Sequence, residues 1–214
     1  MQTPILIGSG TTSIVLTNDY NTVSKMFDNI LDFNKEVKTM KEISKVVDKL
    51  YNIQTMISYD NNTKSIEYKY IPYNLEEILK GNIEKVIDTN NVIIDVIKIL
   101  QSLHENNIVH GDFKAKNIQL TEDLKPIIID LGSTTILNGE LNKNDIDNLE
   151  KLKREDIDKL WYLIIQLVFK IEYKLSYKKN TIEEFKKNNK NLFNIFNSKN
   201  KYDLVNLIKI FETN

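Results

Sequence analysis

The sequence predicts an α+β fold in two lobes, a small β-rich N-terminal lobe and a reduced helical C-terminal lobe. Three observations predict it. Short β-patterned runs, with one helical pattern among them, fill most of residues 1–70. From residue 74 onward the apolar spacing turns helical. The 214 residues include only 3 prolines and 6 glycines, and no Pro/Gly/Ser linker or internal repeat divides them. Residues 1–214 therefore read as one domain whose lobes (1–70 and 75–214) share a cleft, with 69–74 as the crossing.

Each element follows from its local pattern. Ile5–Ile7, Ser13–Thr17 and Thr22–Phe27 are expected as strands, joined by turns at Gly8-Ser9-Gly10 and Asn18-Asp19-Tyr20-Asn21. Asp32–Asp48 is expected as a helix, because Phe33, Val37, Met40, Ile43 and Val47 recur at spacings of three or four. Thr55–Ser58 and Ser65–Ile71 read as a hairpin turning at Asp60-Asn61-Asn62. Asn74–Leu79 reads as a short helix. Asn91–Asn106 reads as a longer one, with Ile93, Val96, Ile97, Leu100 and Leu103 on one face. Asn117–Leu120 and Pro126–Ile129 look like a short strand pair. Asp156–Phe169 is apolar on almost every side and is expected as a buried central helix, with amphipathic helices at Ile182–Phe196 and Asp203–Phe211 around it. Asn138–Arg154 reads equally as ordered helix or mobile loop.

Composition narrows the function classes. A hydrophobic fraction of 41% can supply a buried core. The formal net charge of −1 carries no electrostatic footprint for nucleic acid or an acidic membrane. With no cysteines, disulfides, thiolate zinc sites and cysteine nucleophiles are excluded. His104 and His110 are the only histidines, too few for a histidine-rich metal site. Met1–Gly10 has no signal-peptide pattern. The longest apolar stretch, Leu160–Phe169, is interrupted by Gln166 and falls short of the roughly 20 residues a membrane span needs. A soluble intracellular protein, cytoplasmic or nuclear, is the expectation. Richness in Asn, Lys and Ile, as in Lys186–Asn191, is a bias of the whole chain rather than a motif.

The most informative stretch is His110-Gly111-Asp112-Phe113-Lys114-Ala115-Lys116-Asn117, followed by the apolar run Ile127–Ile129 and then Asp130-Leu131-Gly132. Phosphoryl transfer needs metal ligands, a positioned nucleophile and charge neutralisation more than covalent chemistry. Asn117 and Asp130 lie on opposite arms of an expected hairpin loop and could converge on one Mg²⁺-phosphate cluster, because Mg²⁺ keeps few protein oxygens. Asp112 would face an incoming hydroxyl, with Lys114 beside the transferring group.

This region resembles the catalytic loop of protein kinases, His-x-Asp-x-Lys-x-x-Asn followed by Asp-Phe-Gly, and the resemblance implies a bilobal protein-kinase-like fold. It runs from about Ile5 to Val168. Ile7-Gly8-Ser9-Gly10-Thr11-Thr12-Ser13-Ile14-Val15 looks like the kinase glycine-rich loop, whose backbone amides approach phosphates. Ser13 stands where the third glycine would be. Lys25, at the end of the next strand, resembles the lysine that holds the α- and β-phosphates. Glu36 resembles its helical partner, with Glu42 as the runner-up. Ile66–Pro72 resembles the hinge strand, with Tyr68 near the gatekeeper position and Lys69, Tyr70 and Ile71 offering backbone hydrogen bonds to adenine. Val15 and Val23 would cover the base and Gln119 would lie under it. Asp158 resembles the aspartate that braces the catalytic loop, where a buried carboxylate must find donors. Met40, Leu131 and His110 would stack into a column between the lobes.

The resemblance implies ATP and Mg²⁺, with Mn²⁺ as an alternative ion, and places Asp112, Lys114, Lys25 and Glu36 in catalysis and Asn117 and Asp130 on the metal. Four departures shape the expectation. Gly111 replaces the arginine on which a phosphorylated activation loop would dock, so activity independent of loop phosphorylation is expected. No Ala-Pro-Glu motif follows. The C-terminal lobe ends early, as in the reduced kinases of large DNA viruses or the small kinase of the tRNA-threonylcarbamoylation complex, so a protein partner completing it is an expectation, as is a viral protein acting in its host cell. Val23 replaces an alanine and Gln119 an apolar residue at the adenine site. The leading reading is a Ser/Thr-type kinase with a protein substrate. Two others stay open: a non-catalytic kinase mimic that binds a partner kinase or complex subunit, and a small-molecule phosphotransferase, which usually lacks the equivalent of Lys114.

Overall fold

Alternating apolar and polar residues in the first third of the chain build an antiparallel sheet. The computed structural model describes residues 3–10, 12–169, 187, 190–196, 198 and 202–212. Strands β1 (Ile5–Ser9), β2 (Ser13–Thr17), β3 (Thr22–Phe27), β4 (Met56–Asp60) and β5 (Ser65–Lys69) form one sheet in the order β1-β2-β3-β5-β4. The register pairs Val15 with Lys25 and Val23 with Tyr68. Cross-strand partners share a face, and so do residues two apart on a strand. Val15, Val23, Lys25 and Tyr68 therefore project from the same side.

Helix α1 (Ile30–Ser44) crosses the chain between β3 and β4. Asn29 caps it by accepting from the Asp32 amide, and Asp32 places negative charge in the first turn. Its buried stripe is Phe33, Glu36, Val37, Met40 and Ile43. Glu36 is the charged member of that apolar stripe, which puts a carboxylate where the helix meets the sheet. Phe33 packs edge-on to Phe27 of β3, with ring centroids 5.9 Å apart.

Beyond residue 70 the chain changes character. β6 (Tyr73–Asn74) pairs with β8 (Ile118–Leu120), which pairs with β9 (Pro126–Ile128). Helix α2 (Leu75–Leu79) follows directly, capped by Asn74. Helix α3 (Thr89–Glu105), capped by Asp88, buries Val92, Ile93, Val96, Ile97, Leu100 and Leu103. β7 (Ile108–Val109) pairs with β10 (Thr135–Ile136). Helix α4 (Lys143–Phe169) packs on α3, as does α6 (Leu204–Glu212). Helix α5 (Lys190–Phe196) meets α4 where Phe196 tilts against the fully buried Trp161, at 5.6 Å between centroids. Among the described residues, no helix is long and apolar enough to cross a membrane.

The architecture is α+β, a β-sheet region followed by mostly helices. Several boundaries differ from the sequence expectation for physical reasons. β1 runs on to Ser9, past the expected turn at Gly8-Ser9-Gly10, and the Gly10 amide donates to the Ser13 carbonyl. The helical pattern expected to Asp48 stops at Ser44 and continues as a 3₁₀ turn, Val47–Lys49. The helix expected from Asp156 begins at Lys143, which resolves most of Asn138–Arg154 as helix. Much of the expected Ile182–Phe196 helix lies outside the described residues.

Leu100 has no solvent exposure and sits at the centre of the α3 face. We expect Leu100→Ala to lower the unfolding free energy by about 2–5 kcal/mol through lost burial plus a residual cavity. Urea titration followed by Trp161 fluorescence checks this.

Candidate functional site

A cavity of about 640 Å³ opens between the sheet and the β8–β9 hairpin. Gly8, Ser9, Gly10, Ser13 and Val15 from the first hairpin, Val23 and Lys25 from β3, and Glu36 from α1 line it. So do Tyr68, Lys69, Tyr70 and Ile71 beside the crossing, and Asp112, Lys114, Asn117, Gln119 and Asp130 from the later chain. Every residue that the sequence reading placed in catalysis, on the nucleotide or on the metal thus borders one space. Glu42, the runner-up to Glu36, does not; it is half-buried and bonded to Lys45.

Lys25 is the hub. Its ammonium donates to Glu36 Oε1 at 2.9 Å and Oε2 at 2.6 Å, and to Asp130 Oδ1 at 2.8 Å. The Lys25 and Glu36 side chains are 14% and 3% exposed, whereas that of Asp130 is 46% exposed. Burial alone would push the lysine toward neutrality. The charges of Glu36 and then Asp130 outweigh it, holding its pKa above the ordinary lysine value. Asp130 shows the reciprocal effect: burial raises its pKa, Lys25 more than offsets that, and the carboxyl stays below its usual range. Asp130 adopts a left-handed backbone, φ 60° and ψ 73°, a conformation costly for a non-glycine residue and typical of functional turns.

The segment from His110 to Asn117 forms a second cluster. The Asp112 carboxylate lies 2.6 Å from Lys114 Nζ. Asn117 Nδ2 donates to the Asp112 carbonyl at 2.8 Å and to its Oδ2 at 3.0 Å. Those two bonds leave the amide oxygen of Asn117 as its acceptor for other partners. His110 is fully buried. Its Nδ1 accepts from the Asp112 amide and its Nε2 faces the Ile129 carbonyl, the pattern of a neutral imidazole. Burial drives its pKa below the ordinary value, against the Ile129 hydrogen bond and the Asp156 charge.

The brace beneath this loop is Asp156, correcting the expectation for Asp158. Asp156 has no exposed surface, and its carboxylate accepts from the amides of His110 at 2.7 Å and Gly111 at 3.0 Å. Helical phase explains the difference. Asp156 shares a face with buried Leu160 and Ile164, whereas Asp158 shares one with Tyr162, which is 37% exposed. Lys159 adds a further tie that sequence reasoning missed, donating from Nζ to the Gly111 carbonyl. Gly111 is required by the fold itself. It has φ +80°, and a Cβ there would lie 2.6 Å from the Ser133 carbonyl oxygen.

The crossing segment narrows one expectation. The Tyr70 amide already donates to the Asn21 carbonyl, so it is not available to a ligand. The Lys69 carbonyl accepts a weak bond from Gln54 Nε2 at 3.3 Å and keeps a second lone pair. Gln54 and Asn74, which also line the cavity, carried no sequence signal; Asn74 Nδ2 donates to the Lys116 carbonyl and so ties the crossing to the loop.

The donor set suits a nucleotide with a hard divalent cation. The volume lies within the range of small-molecule sites. A Cβ at Gly8 or Gly10 would meet nothing closer than 3.6 Å, so packing within the chain does not demand glycine there, and the space belongs to the cavity. Among the described residues, no group of three or more His, Asp or Glu side chains gathers around one point. Asn117 and Asp130 offer one amide and one carboxylate, which fits an ion that retains phosphate and water oxygens.

No protein-family profile matches the chain. It is 26% identical over 153 residues to a probable serine/threonine-protein kinase, MRK1 homolog, of Encephalitozoon cuniculi, covering 64% of this chain and 46% of that protein. It is 34% identical over 107 residues to the probable serine/threonine-protein kinase fnkB of Dictyostelium discoideum, covering 46% and 20% respectively. It is 28% identical over 149 residues to calmodulin-binding receptor-like cytoplasmic kinase 1 of Arabidopsis thaliana, covering 66% and 31%. The chain spans less than half the length of these curated relatives. The similarities support the protein kinase-like superfamily.

Two outcomes test the loop geometry. Asp156→Ala should cost about 2–5 kcal/mol, since two buried amides lose their acceptor, measured by urea unfolding. The unfolded chain protonates histidine near 6.5 and the folded chain only at lower pH. Between those two pKa values the unfolded state binds more protons, so stability is complete above about pH 6.5 and declines as pH falls toward the folded pKa. His110→Gln should flatten that part of the stability-versus-pH curve.

Proposed function

We propose that this chain is an ATP- and Mg²⁺-dependent protein kinase that transfers the γ-phosphoryl group to a Ser or Thr hydroxyl, working from two lobes that meet at the cavity. One observation carries the reading: a lysine clamped between two carboxylates and an Asp-Lys-Asn cluster share a single nucleotide-sized cavity. Phosphoryl transfer is mostly positioning and electrostatics, and these are the groups it calls for.

Lys25, kept cationic by Glu36, would bind the phosphate chain. Asp130 and the Asn117 amide oxygen would hold the metal, which when bound supplies charge neutralisation across the phosphates. As the acceptor oxygen bonds to phosphorus and the bond to the β-phosphate oxygen breaks, the hydroxyl proton passes to the Asp112 carboxylate. Lys114, 2.6 Å from that carboxylate, would offset charge at the reacting group. Backbone groups of Lys69 and Ile71 would meet the adenine, with Val15 and Val23 above it and Gln119 below.

Independence from loop phosphorylation has its own support. Ser133 is packed against Gly111, β10 is paired to β7, and residues 137–142 alone separate β10 from α4. That leaves little free segment for a phosphate to order.

The test is incubation of the purified chain with γ-labelled ATP, Mg²⁺ and a generic basic protein. We expect labelled Ser or Thr, a loss of roughly 100-fold or more in Asp130→Ala and Asp112→Asn, and no change after phosphatase pretreatment. A wild-type chain that binds ATP and forms no labelled product contradicts the reading in favour of a non-catalytic role.

A further inference from the structure

Tyr68 makes a contact that its sequence position does not announce. It sits on β5 opposite Val23, 5% exposed, and its hydroxyl donates to Glu36 Oε1 at 2.8 Å. A phenylalanine would fill the same volume. A buried hydroxyl instead incurs a desolvation cost that only a well-made hydrogen bond recovers, and this one goes to the same carboxylate that holds Lys25.

Glu36 is consequently fixed from three directions. Oε1 accepts from Tyr68 of β5 and Lys25 of β3, and Oε2 accepts from Lys25 at 2.6 Å. A Cβ placed on Gly132 would lie 3.2 Å from Oε2, so the 3₁₀ turn Leu131–Ser133 closes the remaining side. Helix α1 also packs on that turn. Burial, followed by the Glu36 charge, holds the Tyr68 phenol well above its ordinary pKa, so it remains a donor at any working pH.

We propose that Tyr68 is a positioning residue: its hydroxyl latches α1 inward and keeps Glu36 on Lys25 from within the chain. The ion pair is then assembled without a bound activator or a modified loop. The consequence for activity rests on the phosphoryl-transfer reading above, whereas the mechanical claim about α1 does not.

The experiment compares wild type, Tyr68→Phe, Glu36→Leu and the double variant by hydrogen-exchange mass spectrometry and by steady-state kinetics. A hydrogen bond to a charged group has an energy equivalent to about tenfold or more in an equilibrium. We expect amides of residues 33–43 to exchange about tenfold faster in Tyr68→Phe, with those of α3 unchanged. We expect kcat to fall by a similar factor while KM for ATP holds. In the Glu36→Leu background the second substitution should add little, because the acceptor it acts through is gone. Unchanged exchange in α1 overturns the latch, as does an equal loss from Tyr68→Phe with and without the Glu36 carboxylate. A wild-type chain that transfers no phosphoryl group while Tyr68→Phe still loosens α1 overturns the proposed reaction and supports the latch.

Discussion

A lysine ammonium with 14% of its side chain exposed cannot stay charged without a nearby counter-charge, and much of this chain is organised around providing one. Glu36 can serve only if α1 lies against the sheet, which requires Phe33, Val37, Met40 and Ile43 to bury the same face. Asp130 can serve only if the β8–β9 hairpin delivers it to the opposite side. The Lys25 cluster thus joins β3, α1 and the turn after β9 through one ammonium group. Removing Lys25 would leave the buried Glu36 carboxylate uncompensated, a far larger loss than that of a surface ion pair.

The loop from His110 to Asn117 is held by a different device. Two backbone amides donate to the buried Asp156 carboxylate, Lys159 donates to the Gly111 carbonyl, and His110 bonds the loop to the end of the hairpin. Gly111 makes this possible, because the Ser133 carbonyl occupies the space a side chain would need. The glycine therefore has a steric reason here, beyond the absence of an arginine. The same contact binds the loop to the segment following Asp130, so the two clusters in the cavity are mechanically linked.

Most of the strands were legible because each rests on local alternation, and β2 and β3 match their expected bounds residue for residue. That Asp112, Asn117 and Asp130 would border one cavity was legible because motif spacing is a local property. Glu36 against Glu42 was decidable in principle: Glu36 falls within the apolar stripe of α1, three residues from Phe33 and four from Met40, and Glu42 falls outside it. The same phase argument picks Asp156 over Asp158. The Tyr68–Glu36 bond was not legible, since it joins residues 32 apart on different elements and depends on how a helix seats against a sheet. The Tyr70 amide was misread for a related reason: its partner Asn21 lies in a turn far off in sequence.

The central claim is that Lys25, Asp130 and Asn117 form a site for a nucleotide and its metal. Isothermal titration calorimetry of ATP with and without Mg²⁺, in wild type and Asp130→Asn, tests it most directly. The account predicts that Mg²⁺ tightens ATP binding in wild type and that Asp130→Asn abolishes this enhancement while metal-free ATP still binds. Equal Mg²⁺ dependence in both proteins, or no ATP binding by the wild type, would contradict it.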